Sequence, residues 1–113
     1  MAVLHNLMRN PIDGESIEFN DNRLSLYSAQ KGKCAVTGKQ MEADEVICIK
    51  KIPKEQGGTD KYSNLLLVCR KIQELLNVKD IKTFSEEMDK LNLDKKQSDK
   101  LLKLRSLAFV ESR

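Results

Sequence analysis

Between two short apolar runs stand Pro53 and the glycine pair Gly57-Gly58, and that punctuation constrains the fold more than any other feature of the chain. The segment from Glu45 to Ile52 is rich in β-branched residues, and Pro53, which has no backbone donor, stops it as a strand. Ahead of it, Cys34 to Thr37 reads as a short extended piece that turns at Gly38, so the two pieces are expected to pair as a hairpin. The glycine pair makes a loop, Tyr62-Ser63-Asn64 leads out of it, and the apolar run Leu65 to Cys69 is expected to continue into a helix over Arg70 to Asn77. Hairpin, loop and helix give a ββα unit within Cys34 to Asp80.

Around this unit the sequence reads as an N-terminal arm and three helices. Residues 1–20 carry turn signals at Asn10-Pro11 and Asp13-Gly14 and read as a loosely structured arm, pinned by Met8, Ile12 and Ile17. Asp21 or Asn22 then caps a helix bearing Leu24, Leu26 and Tyr27, which Gly32 ends. Beyond the ββα unit, Asp80 caps a helix whose Ile81, Phe84, Met88 and Leu91 form one apolar stripe. Asp94 with Gln97 makes a capping box for a last helix to about Ala108, turning Leu101, Leu104 and Ala108 inward. The expected architecture is α+β in one domain of 113 residues: an arm (1–20), a helix with the ββα unit (21–79) and a C-terminal helical hairpin (80–113). Tryptophan is absent, so aliphatic residues must fill the core, with Phe19, Tyr27, Tyr62, Phe84 and Phe109 as the larger anchors. Base stacking on aromatic platforms is correspondingly disfavoured.

The element order, the core Ile52-Pro53-Lys54-x-x-Gly57-Gly58-Thr59-Asp60-x-Tyr62-x-Asn64-Leu65 and its lead-in from Lys31 to Lys39 resemble the HNH endonuclease family. More closely, they are similar to the C-terminal nuclease domain of group II intron reverse transcriptase/maturases, as are Leu7 to Pro11, Asp21 to Gly32 and Leu91 to Ala108. The resemblance implies a ββα-metal core, in which a strand histidine acts as general base and further histidines on strand and helix grip one divalent cation. Here those positions read Ile47, Ile49 and Lys50 on the strand, and Gln73 and Asn77 on the helix. Only Asn64, the middle letter of the family name, stands unchanged. The single histidine, His5, lies in the arm and reads as an exposed or packing residue. A lysine is protonated at neutral pH and takes no proton from water unless burial depresses it by roughly three units. The resemblance therefore implies a nuclease fold without nuclease activity, with Lys50 and Asn64 as degenerate catalytic positions and Ile47, Ile49, Gln73 and Asn77 as degenerate metal positions.

Some members of the family carry paired C-x-x-C zinc knuckles. In this chain Cys34 is followed at that spacing by Thr37, and Cys69 by Ile72, so each knuckle is half missing. Three cysteines in a chain with neither a secretion signal nor a membrane-length apolar run read as reduced thiols in a cytoplasmic protein. No cofactor is expected, and a divalent metal only if the protein cuts.

A net charge of +3 excludes a polycation, and the charge is unevenly placed. Lys50, Lys51 and Lys54 cluster where a nuclease would face phosphate, and Lys95, Lys96, Lys100, Lys103 and Arg105 stand along the last helix against Asp99. They are the candidate contacts to nucleic acid, although solvation of exposed faces would explain them too. Three functions remain open: a module that binds DNA without cutting it, with RNA as a further ligand if the chain belongs to a larger maturase; an active endonuclease with displaced ligands such as Asp44, Glu45 or Asp60; and a protein-interaction piece, such as an element- or phage-encoded regulator derived from an HNH domain. The missing histidines predict that plasmid incubated with the protein and Mg²⁺, Mn²⁺ or Zn²⁺ stays supercoiled. Nicking that Asn64→Ala abolishes would contradict this.

Overall fold

In the computed structural model, which describes residues 2–108, five helices surround a two-stranded antiparallel sheet. The elements are α1 (Ala2–Arg9), α2 (Ile17–Ala29), β1 (Val46–Lys50), β2 (Leu65–Cys69), α3 (Arg70–Leu76), α4 (Ile81–Asp89) and α5 (Lys95–Ala108). The fold is thus α+β. Among the described residues no helix is long and apolar enough to cross a membrane. Phe109, an expected core anchor, lies outside the described residues, as does the side chain of Ala108.

The strand pairing differs from the one expected. β1 pairs with Leu65–Cys69, not with Cys34–Thr37, and it does so in the register Val46↔Cys69, Cys48↔Leu67, Lys50↔Leu65. An unbroken apolar run such as Leu-Leu-Leu-Val-Cys has no period to separate strand from helix, and burial on both faces settles it. One face, with Leu65 and Leu67, meets α2, while Val68 on the other lies towards α3; all three side chains are buried. Each stabilises by about 1.5–3 kcal/mol relative to an exposed side chain, more than propensity alone contributes to so short a segment. The Cys34–Thr37 piece instead forms a tight turn: the Cys34 N–H donates to Lys39 O and the Gly38 N–H to Cys34 O, with a single bridge between Lys33 and Gln40.

The arm is also more ordered than its turn signals indicated. Val3, Leu4 and Leu7 recur at helical spacing and pack α1 on the core, Leu7 being buried, whereas Met8, Ile12 and Ile17 are exposed. Arg23, itself buried, donates to Leu7 O and Asn10 O and so places a cation against the carbonyl end of α1. The cap of α2 is Ser16 rather than Asp21 or Asn22: the Phe19 N–H donates to Ser16 Oγ at 2.9 Å. Asp80 does cap α4 through the Thr83 N–H, and Asp94 with Gln97 closes the capping box of α5. Phe84 of α4 and Leu101 and Leu104 of α5 are buried, and both helices adjoin α3. Tyr62, an expected anchor, is largely exposed, since it stands on a single 3₁₀ turn at the surface.

The connection from β1 to β2 is fixed by the residues that punctuate it. Gly57 adopts a φ of 87°, and a Cβ on Gly58 would come within 1.6 Å of Ile52 O, so no other residue fits without moving backbone. Asn64 spans the loop: its amide donates to Ile52 O and Thr59 O, and its carbonyl accepts the Ile52 N–H at 2.9 Å.

Candidate nucleic-acid interface

In a strand, neighbouring side chains point to opposite faces. Lys50, the last residue of β1, shares a face with Val46 and Cys48 and therefore points to α2; Lys51 follows the strand and turns the other way. The two side chains, read together in the sequence, thus leave the strand on opposite faces.

Lys50 is held. Its ammonium lies 3.2 Å from Glu15 Oε1 and 3.6 Å from Asp60 Oδ1, and 4.7 Å from the centre of the Phe19 ring. Only 18% of its side chain is exposed. Asp60 is further engaged by the Ser16 hydroxyl, which donates to Oδ2 at 2.6 Å, and its carbonyl accepts from Asn22. The Ser16 hydrogen bond draws the Asp60 carboxyl below its ordinary value of 3.8; partial burial opposes this and the charge of Lys50 adds to it. Lys54, exposed, borders the same hollow. Glu15 was missed in the sequence because nothing there ties an arm residue to the strand end.

On the other side a cleft of about 320 Å³ is lined by Ile49, Lys50, Lys51, Glu55, Gln73 and Asn77 over the apolar Pro53, Leu76 and Leu104. Three of the four positions at which the resemblance implies a metal ligand, Ile49, Gln73 and Asn77, therefore do meet, whereas Ile47 packs on the core. Amides and an alkyl chain offer hydrogen bonds and contact surface but no anionic or imidazole ligand. The displaced-ligand candidates do not converge. Asp44 and Glu45 precede β1, where Arg70 donates to Asp44 O and Glu45 accepts the Glu42 N–H, while Asp60 sits by the far end of the strand. Among the described residues no group of three or more His, Cys, Asp or Glu side chains is arranged to hold a metal. Asn64 stands in the loop with its side chain committed to backbone.

A neighbouring groove of about 340 Å³ brings Lys51 together with Lys100 and Lys103 of α5, over a floor of Leu66, Leu104 and Leu107. The remaining basic candidates lie elsewhere. Lys95 pairs with Asp99 at the solvent, Lys96 is exposed, and Arg105 donates to Val78 O and Lys79 O while stacking on Phe84, a role that fastens the α3–α4 connection. Their i, i+3 spacing could have singled out Lys100 and Lys103 as sharing a helix face, but not their meeting with Lys51, which requires the tertiary fold.

Cys34 and Cys69 meet as well. The Cys69 N–H and the Thr37 N–H donate to Cys34 Sγ at 3.4 and 3.5 Å. Comparison of the chain with protein-family models, curated proteins and solved structures finds no match.

The Asp60 contacts carry a sign for pH. A carboxyl whose folded value is depressed stabilises the fold above its unfolded value and loses that contribution as pH falls through the folded one. The wild-type melting temperature should therefore drop below pH 3.8 more steeply than that of Asp60→Asn, which starts lower at neutral pH. Parallel curves would contradict the clamp.

Proposed function

We propose that the chain is a nuclease-derived module that holds nucleic acid through its phosphates and does not cut it. The reading rests on the resemblance to the HNH nuclease domain of group II intron maturases, and one observation carries it: Lys51, at the end of β1, lines a single groove with Lys100 and Lys103 of α5. Three ammonium groups beside an apolar floor suit a phosphate backbone laid along the groove, with counterions released at each contact. Nothing in the groove supplies the paired donors and acceptors that read base edges, so the binding is of low sequence specificity. Duplex DNA is the ligand this geometry favours, because no aromatic side chain lines the groove to stack an unpaired base.

The cleft beside the groove supports the second half of the reading, that the module does not cut. A metal-dependent phosphodiesterase needs a cation at the scissile phosphate and a base for the attacking water. Where the family places those groups, Ile49, Gln73 and Asn77 offer no strong ligand, and Lys50 is a cation bound to Glu15 and Asp60.

Replacing Lys51, Lys100 and Lys103 with alanine should weaken duplex binding and flatten the plot of log K against log salt by up to about 0.9 per lost contact. Lys50→Met should instead lower the melting temperature and leave that slope as it is. An unchanged slope in the triple variant would overturn the groove as the interface, and a parent that binds no duplex at low salt would overturn the reading itself in favour of a protein-interaction role.

A further inference from the structure

Outside the groove and cleft, one pair of reactive side chains is placed without a part in the phosphate-binding reading. Cys34 lies in the turn between Lys33 and Gln40, and Cys69 closes β2 at the start of α3, 35 residues further on. Cys34 is 2% exposed, whereas Cys69 is only partly buried. Two backbone N–H groups, those of Thr37 and Cys69, converge on Cys34 Sγ, and the second of them sets that sulfur against the Cys69 residue itself. We infer that Cys34 and Cys69 form a reversible thiol pair that a small disulfide oxidises to an intramolecular disulfide.

The chemistry divides between the two sulfurs by access and by charge. Burial pushes the Cys34 thiol up, but the hydrogen bonds from Thr37, Cys69 and Val36 outweigh it and bring the thiol down. Cys69 moves the other way, raised by burial and then by the charge on Cys34. Cys69 is the sulfur that a small disulfide reaches. Once deprotonated it attacks one sulfur of the oxidant, the oxidant's S–S bond breaks, one small thiolate leaves, and a mixed disulfide forms at Cys69. The Cys34 thiolate then attacks the Cys69 sulfur and expels the second small thiolate, leaving an S–S bond between Cys34 and Cys69. The pair loses two electrons, the oxidant becomes two thiols, and they take up the two protons. Cys48 takes no part: it lies within β1, where burial pushes its thiol up to about 12. The bond would tie the turn to the strand–helix junction and stabilise the fold by restricting the unfolded chain.

Incubation of the full chain with oxidised glutathione, followed by alkylation and peptide mapping, tests this. The expected product has lost two hydrogens, links the Cys34 and Cys69 peptides, melts higher than the reduced chain and reverts with dithiothreitol. Cys48→Ser should give the same product, and Cys34→Ser should stop at a glutathione adduct on Cys69. The unmodified chain decides the matter if a variant fails to fold. Wild type that stays reduced, that stops at the adduct, or that links Cys48 overturns the proposal.

Discussion

The ammonium of Lys50 is the point at which three parts of the chain are joined. It ends β1, and the groups that neutralise it come from the segment before α2 and from the loop between the strands, Glu15 and Asp60 respectively. An exposed pair such as Lys95 with Asp99, whose side chains are 90% and 62% exposed, contributes at most about 1 kcal/mol. Lys50 is different in kind, because 18% exposure leaves little water to screen it and the Phe19 ring covers it. Removing either carboxylate would leave a cation short of partners in a partly dry setting, and the loop that Asp60 anchors would lose its hold on α2.

The alternation of a strand turns this into a division of labour. Because Lys50 faces α2, its charge is spent inside the molecule. Because Lys51 faces the other way, it reaches the groove with Lys100 and Lys103. Between them lies the cleft with Ile49, Gln73 and Asn77, in which alkyl and amide groups stand on the surfaces where the resemblance to HNH nucleases implies ligands. On the proposed reading, a surface that no longer holds a cation still presents positive charge to phosphate, and the charge has moved one residue along the strand and onto α5.

What could be read from the sequence was what local chemistry alone decides. Pro53, Gly57 and Gly58 marked the loop, and Asp80 and the Asp94–Gln97 box marked the starts of α4 and α5, since each acts through its own backbone neighbourhood. The strand partner is not legible because Leu65–Cys69 is apolar throughout and carries no period, and α1 is hidden because turn residues at Asn10-Pro11 and Asp13-Gly14 mask the three-residue stripe of Val3, Leu4 and Leu7. Of the candidate site, the residue types were legible but not their partners: neither Glu15 beside Lys50 nor Val78 and Lys79 under Arg105 leaves any mark in local sequence. Cys34 and Cys69 meet in space although neither has a cysteine at the C-x-x-C spacing to mark it in the sequence.

Chemical-shift mapping during titration with a short DNA duplex tests the central claim most directly, since it reports both lysine environments in one experiment. The account predicts that the perturbed amides gather at Lys51, Leu66, Lys100, Lys103 and Leu107, and that those of Glu15, Ser16, Phe19 and Asp60 stay in place. Perturbation centred on Glu15, Lys50 and Asp60, with α5 unaffected, would contradict it.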